Sequence, residues 1–373
     1  MKIAFFGSSL VSAYWNGAAT YYRGVIRALA ERGHRVTFYE PDAFERQQHR
    51  DMPDPEWAEV VVYAPEREAM EQMLARASGA DVVVKASGVG VLDAELEAGV
   101  LDLQGPRTAV VFWDVDAPAT LDRVHGDPRD PFAPLIPRYD VVLTYGGGDP
   151  VADAYRALGA RDCVPIYNAL DPSTHHPVPP REELAVDLAF LGNNMPDRVE
   201  RVDEFFLRAA RELPEARLLL GGNGWDPARL PPNVRHLGHV YTRDHNAFNV
   251  SPRAVLNVSR ESMARFGFSP ATRVFEAAGA GACLITDAWE GIERFLTPGE
   301  QVLVAHDGAE VARHVRALTA ERARAIGSAA RARVLREHTY AHRALQVEEL
   351  LQGVLAARGA PTESLESLER KAS

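Results

Sequence analysis

The chain of 373 residues has two cysteines, Cys163 and Cys283, and both sit in apolar runs. Two such residues build no disulfide framework and match no metal-ligand spacing; they read as small buried hydrophobes. Long apolar runs are missing too, since no stretch approaches the roughly 18 residues of a membrane span. The opening "MKIAFFGSSL" has one lysine and too short an apolar run for a secretory leader. The expectation is a cytoplasmic protein that is not integral to a membrane. Positive charge is in deficit: 41 Lys and Arg against 52 Asp and Glu leave a net −11. That argues against nucleic acid or an anionic membrane surface as the main partner. No repeat of short period is visible.

What is present is alternation. "KIAFF" (Lys2–Phe6) reads as a buried strand, and "GAATYYRGVIRALAER" as a helix with Tyr22, Val25, Ile26 and Leu29 on one face. Gly33 closes that helix. "RVTFYE", "EVVVYA", "DVVVKAS", "TAVVFWD" and "YDVVLTY" continue the strands, with helical stretches between most of them. Such alternation predicts a parallel sheet covered on both faces. The proline-rich "YNALDPSTHHPVPPREELAVD" (Tyr167–Asp187) reads as a connector. A second series follows in "DLAFLG", "ARLLLGG", "RAVLNVS", "CLITD" and "QVLVA", with helices near 197–211, 270–279 and 309–318. A long helical stretch from about Thr319 breaks near His338, and its last part, 341–357, has Leu345, Leu350, Leu351 and Val354 to bury. The expected organisation is a first α/β domain over 1–170 plus 341–357, a second over 171–340, and a disordered polar tail over 358–373.

Several loops at strand ends carry candidate chemistry. After the first strand, Gly7 allows a tight turn, and Asn16-Gly17 stand where a helix begins and free N–H groups attract anions. The loop is not G-x-G-x-x-G, so a nicotinamide site is a weak reading and a plain strand–loop–helix turn competes with a ligand loop. In "VVFWDVDAPATLDR" (Val110–Arg123) a strand ends in Asp114 and Asp116, where open α/β sheets bind ligands. Either carboxylate could take a proton from a hydroxyl or hydrogen-bond a sugar, or simply cap the next turn. Three glycines in "YGGGDP" (Tyr145–Pro150) give flexibility or close backbone approach to a ligand, while Asp149 reads as a helix N-cap. In "FLGNNMPDRVERVDEFF" (Phe190–Phe206), Gly192, Asn193 and Asn194 form a strand-end loop. Arg198 there could hold phosphate oxygens, or pair with Asp197, Glu200 or Glu204. His175-His176, isolated among prolines, reads as solvated rather than metal-bound.

"FSPATRVFEAAGAGACLITD" (Phe268–Asp287) sets Arg273 near a helix start, beside the positive end of the dipole, with Glu276 on nearly the same face. A diphosphate against Arg273 would relieve that conflict, and Glu276 could then accept from ribose hydroxyls. An ordinary Arg–Glu pair fits the spacing equally well.

The stretch "SPATRVFEAAGAGACLITDAWEGIERFLTPGEQVLVA", with its R-x-F-E-A, G-A-x-L-I-T-D and P-G-E elements, resembles the C-terminal domain signature of GT-B glycosyltransferases. Within them it is most similar to the family-1/family-4-like group that includes the spore-maturation protein CgeB. "DLAFLGNN…R", "NALDPSTHHP" and the N-terminal segment from Lys2 also fit. The resemblance implies an α/β protein of two Rossmann-like domains facing across a cleft, with a final helix crossing back to the first domain. It implies transfer of a sugar from a nucleotide sugar, a UDP-sugar above all, to an unidentified acceptor, with no cofactor and no metal. Glu276 would bind the donor ribose, Arg273 and Arg198 the diphosphate, with Asn193 at the same loop, and the backbone near His239 and Tyr241 the base. Gly7, Asn16 and Gly17 would close over the donor, and Asp116, with Asp114 as second candidate, would be the catalytic base or a sugar ligand. One position departs: many family-4 retaining enzymes carry a second glutamate eight residues before the ribose ligand, and here that position is Phe268. A nucleotide-sugar 2-epimerase of the same fold, or a non-catalytic nucleotide-sugar binder, are the alternatives.

Overall fold

The structure is a computed structural model that describes residues 1–14 and 16–359. Its first sheet holds β1 (Lys2–Phe6), β2 (Arg35–Pro41), β3 (Glu59–Tyr63), β4 (Val82–Ala86), β5 (Ala109–Asp114), β6 (Val141–Thr144) and β7 (Cys163–Pro165). The strand order is β3-β2-β1-β4-β5-β6-β7, and every pairing is parallel. Its helices are α1 (Ala19–Glu31), α2 (Arg67–Ala77), α3 (Asp93–Gly99), α4 (Ala117–Gly126) and α5 (Gly148–Ala157). The apolar runs of β4 and β5 are buried at every position, as strands covered on both faces must be. The lysine of β4, Lys85, is fully buried and paired: Nζ lies 2.6 Å from Asp93 Oδ1 and donates to the Ala86 carbonyl.

The second sheet comprises β8 (Leu188–Leu191), β9 (Leu218–Gly221), β10 (Val234–Gly238), β11 (Ala254–Asn257), β12 (Leu284–Asp287) and β13 (Leu303–Ala305), ordered β10-β9-β8-β11-β12-β13 and again all parallel. Around it lie α6 (Val199–Val202), α7 (Arg208–Glu212), α8 (His245–Val250), α9 (Glu261–Phe266), α10 (Thr272–Ala280), α11 (Gly308–Ala317) and α12 (Ala320–Glu337). A π-helical turn, Asp203–Leu207, joins α6 to α7, so the helix expected over 197–211 is continuous but widened in the middle. The order of both sheets reverses direction at their first strand, β1 beside β4 and β8 beside β11, and ligands bind open α/β sheets at the carboxyl ends of such strands.

The described residues end in α13 (Tyr340–Gly359), which returns to the first unit. Tyr340, Ala344, Val347 and Leu351 enter the same buried cluster as Tyr21, Val25 and Leu29 of α1. Leu345, expected inside, is 40% exposed; the helical face turned to α1 follows 340, 344, 347 and 351 instead. A β carbon on Gly24 would lie 2.3 Å from the Tyr340 ring, so the two helices meet where α1 has no side chain. The expected tail begins too early at 358: Arg358 is still helical and donates to Asp140 Oδ1 at 2.8 Å. Residues 360–373 lie outside the described residues. No helix among the described residues is long and apolar enough to cross a membrane.

Candidate active site

The carboxyl ends of the two sheets face one another, and the residues there fall into four groups. The first is the β1–α1 loop. Gly7 continues the ladder through its N–H to the Tyr39 carbonyl at 3.1 Å, and its missing β carbon makes room for the Phe38 ring, 2.4 Å from where that carbon would be. Asn16 is buried and spent inside the loop: Nδ2 donates to the carbonyls of Ser9 and Ser12 at 2.8 and 3.0 Å, and Oδ1 accepts from Ser8 Oγ at 2.9 Å. Gly7 and Asn16 therefore shape the loop, and neither presents a side chain to a ligand. Gly17 is exposed with open space about it, next to the N-cap Ala18 of α1, where no side chain caps the free N–H groups.

The second group is the pair of aspartates after β5, and the structure separates them. Asp114 is fully buried: Oδ1 accepts from the Asp116 N–H at 3.0 Å and from Thr120 Oγ1 at 3.1 Å, and Oδ2 accepts from the Tyr155 hydroxyl. Burial lifts its carboxyl above the usual range, against hydrogen bonds from Tyr155, Ser87, the Asp116 N–H and Thr120. The candidate base Asp114 is thereby corrected to a carboxylate that fixes the β5–α4 turn. Asp116 stands at the N-cap of α4 without capping it; its side chain is 46% exposed, and Oδ2 lies 3.9 Å from Arg260 Nη1 of the second unit.

The third group collects positive charge beside β8 and β11. Arg198 occupies the N-cap of α6, and its Nη1 would be 2.9 Å from a β carbon on Gly192 at the end of β8. None of its three acidic neighbours in sequence forms an ion pair with it: Asp197 takes Arg260, and Glu204 takes Arg208. Its Nε is buried without a hydrogen-bond partner. Burial, with the charges of Arg260 and Arg273, pulls the guanidinium below its ordinary value against the raising effect of Asp197. Arg260, at the N-cap of α9 just past β11, was not singled out from the sequence; its one signal there is a cation immediately beyond a buried strand, in "LNVSRES".

The fourth group surrounds Glu276 on α10. The helix starts at Thr272, two residues after Pro270, and Arg273 Nη1 donates to Asn249 Oδ1 at 3.1 Å while lying 3.6 Å from Glu276 Oε2. The local ion pair thus forms, and Arg273 is already partly neutralised. Burial opposes the charge on Glu276, but Arg273, His175 and His245 outweigh it and hold the carboxyl below its usual value. His175, expected in solvent, is 6% exposed, with Nε2 3.7 Å from Glu276 Oε1, whereas His176 is exposed. The connector folds inward because Leu170 is pinned between the His338 carbonyl and the Tyr340 N–H, an arrangement that only the returning chain supplies. The ligand atoms of His175, His245 and Glu276 all lie within 4.8 Å of one another, a spacing that could hold a metal ion. Beyond them, at the end of β10, the His239 ring meets Tyr241 edge to face at 4.6 Å, and Tyr241 is 59% exposed. Asn193 Oδ1 accepts from the Asn223 N–H at 2.9 Å, tying the ends of β8 and β9 together, and Asn223 Nδ2 reaches His239 Nδ1 at 3.4 Å.

The glycines of "YGGGDP" let this backbone approach the second unit closely. The Gly147 N–H donates to the Phe268 carbonyl at 2.9 Å, and a β carbon on Gly148 would be 2.6 Å from Phe268. The N-cap of α5 is Gly147; Asp149 instead accepts from Arg294 across the seam at 3.0 Å. Phe268, where an acid is common in the resembling family, has a positive φ of 45° and packs against Gly148 and Gly291 beneath the Arg294 guanidinium.

Residues 198–349 match the family model described as "Glycosyl transferase-like". No curated protein matches the chain. Among solved structures, sucrose-phosphate synthase from Thermosynechococcus elongatus is similar with a TM-score of 0.69 at 15% identity, over 96% of this chain and 100% of that one. HepE of Anabaena, in complex with UDP and glucose, is similar with a TM-score of 0.65 at 15% identity, over 95% and 100%. AviGT4, a glycosyltransferase involved in avilamycin A biosynthesis, gives a TM-score of 0.61 at 19% identity, over 96% and 98%. These likenesses show the fold, two parallel-sheet units of the GT-B kind over nearly the whole chain.

Proposed function

We propose that the protein is a glycosyltransferase of the CgeB-like group that takes a sugar from a nucleoside diphosphate sugar, a UDP-sugar first, and passes it to an acceptor hydroxyl in the cytoplasm. The observation that carries this reading is Arg198. A guanidinium with a buried, unpartnered Nε and no ion pair of its own, at the carboxyl end of β8 and beside Arg260 and Arg273, has its charge only partly offset by Asp197 and Asp287. Half-burying a charge that has no ion pair is costly, and a diphosphate at that point relieves the cost. Arg198 and Arg260 hold the diphosphate, with Arg273 behind them; Glu276 accepts from the ribose; the exposed Tyr241 ring with His239 offers the base a stacking face. Arginines can stabilise the leaving diphosphate in the role a metal plays elsewhere. The UDP and UDP-glucose in the HepE structures support a UDP-sugar as donor, and two buried free thiols accord with the cytoplasm.

Asp116 is the base. Its carboxylate takes the proton of the acceptor hydroxyl while that oxygen attacks the anomeric carbon, and the bond to the diphosphate breaks with its electron pair on the departing oxygen. Phe268 makes no polar contact to a sugar, so the contact of the family-4 acid is absent. Burial of Asp114 leaves Asp116 without a second cleft aspartate, which weighs against the epimerase reading, since that chemistry needs an acid and a base. The test pairs two readouts. R198Q is expected to weaken UDP binding by about 10- to 100-fold in calorimetry, the loss of a charge-assisted contact. Donor turnover, followed by release of UDP with and without candidate acceptors, separates a transferase from a binder. Unchanged affinity in R198Q would overturn the assignment of the diphosphate.

A further inference from the structure

Two imidazole nitrogens beside Glu276 have no hydrogen-bond partner, and the neighbour of one ring fixes its tautomer. His245 Nε2 faces the Val240 carbonyl at 3.3 Å, and a carbonyl only accepts, so Nε2 carries the hydrogen and Nδ1 is a bare lone pair. His175 Nδ1 lies 2.9 Å from Thr174 Oγ1, which also reaches the Asp171 carbonyl at 3.1 Å. His175 Nε2 is the second nitrogen turned towards the carboxylate, 3.7 Å from Glu276 Oε1. Both nitrogens are buried and unbonded. With the carboxylate they bring three polar groups within 4.8 Å of one another, of which Glu276 and His245 Nδ1 are acceptors. The three border a cavity of about 170 Å³ between α1 of the first unit and α10 of the second, which Thr20, Thr242 and Thr272 also line.

Converging acceptors call for a cation or for hydroxyl donors. A divalent cation is disfavoured by the guanidinium of Arg273, fixed 3.6 Å from the same carboxylate and raising the potential at both imidazoles. A vicinal diol fits better. It brings two O–H donors on adjacent carbons, spaced to meet neighbouring acceptors, and carries no charge.

We infer that His175 and His245, with Glu276, form a ribose clamp that requires the 2′-hydroxyl, so that the protein selects ribonucleoside over 2′-deoxyribonucleoside diphosphate sugars. The inference rests on the donor reading above and adds its specificity. Glu276 takes one hydroxyl hydrogen and the imidazoles share the other; a 2′-deoxyribose leaves buried acceptors unpaired. A site built to bond a hydroxyl rejects the analogue that lacks it for this reason.

The experiment is calorimetry on the full chain with UDP and 2′-deoxy-UDP, and with GDP and 2′-deoxy-GDP. The better-bound base should show a ribose preference of about 10- to 100-fold, the cost of an unsatisfied buried acceptor. That ratio should collapse towards unity in H175F and in H245F and persist in H176A, the exposed neighbour. Equal binding of ribo and deoxy forms by the unaltered protein overturns the clamp while leaving the donor reading intact. No binding of any of the four overturns both. A ratio unchanged in both phenylalanine variants overturns the role of the histidines, and stoichiometric binding of Zn²⁺ alone, lost in H175F and H245F, assigns the three groups to a cation instead. Should the variants fail to fold, the ribo-to-deoxy ratio of the unaltered chain still decides.

Discussion

At the residue scale, the two aspartates after β5 make opposite demands. D116N removes the exposed carboxylate of the cleft and is expected to abolish turnover while changing UDP affinity less than threefold, a split between kcat and binding that steady-state kinetics with calorimetry would read. D114N acts on a buried group that accepts three hydrogen bonds; it should cost about 1–3 kcal/mol in chemical denaturation and leave the chemistry to Asp116. A D114N protein of unchanged stability would contradict the structural role given to it. From the sequence the two could not be told apart, because both end the same strand; burial is decided by Thr120 and Tyr155, which approach from α4 and α5. The places of Glu276 on a helix face and of Arg198 past a strand end were legible from motif and pattern. His175 and His245 were not, since they lie seventy residues apart and meet only when the connector folds against α8 and α10.

At the scale of elements, the strands with unbroken apolar runs were readable because burial on both faces leaves no polar position. Short β7 and β10 were missed: β7 has three residues, and β10, "VRHLG", mixes a charge and a histidine into an edge strand. The partner of the glycine triplet was hidden for a comparable reason, as it is Phe268, more than a hundred residues away. Three ion pairs cross the same seam, Asp116–Arg260, Asp122–Arg265 and Asp149–Arg294, at 3.9, 3.1 and 3.0 Å. Each is substantially exposed and worth about 0–1 kcal/mol. Phe268 is half-buried and gains part of the roughly 1.5–3 kcal/mol of a fully buried phenylalanine, to which its ring contact with Arg294 adds, so packing exceeds a single exposed pair at this contact. F268A should therefore lower the melting temperature more than D122A or R265A, and thermal unfolding of the three variants checks the order. The close approach of α1 to α13 is similarly exacting: G24A places a methyl against the Tyr340 ring and should destabilise by about 1–3 kcal/mol.

At the scale of the whole molecule, the chain crosses between the two units twice, and His338 stands at the second crossing. Burial first, then Arg343 and Arg333, push its imidazole down to about 4, against Glu337. The folded chain thus binds no proton there between pH 6.5 and about 4, where the unfolded chain does, so the stability that the neutral ring provides is present above pH 6.5 and lost as pH falls. Asp114 and Asp287, raised by burial, act in the opposite sense, so the comparison must be between variants. H338N, which keeps an acceptor for Arg343, should regain about 2 kcal/mol relative to the unaltered protein between pH 7 and pH 5 in denaturant titrations; a constant gap would contradict the linkage. The general architecture was legible from alternation and from the R-x-F-E-A stretch, but the seam itself depends on contacts that no local pattern encodes. The central claim is that a nucleoside diphosphate lies between the carboxyl ends of the two sheets. A crystal structure of the protein soaked with UDP tests it most directly. The diphosphate is expected within hydrogen-bonding distance of Arg198 and the ribose on Glu276. A nucleotide bound instead in the groove of about 740 Å³ beside Trp57, at the opposite ends of β1 and β2, with Arg198 untouched, would contradict it.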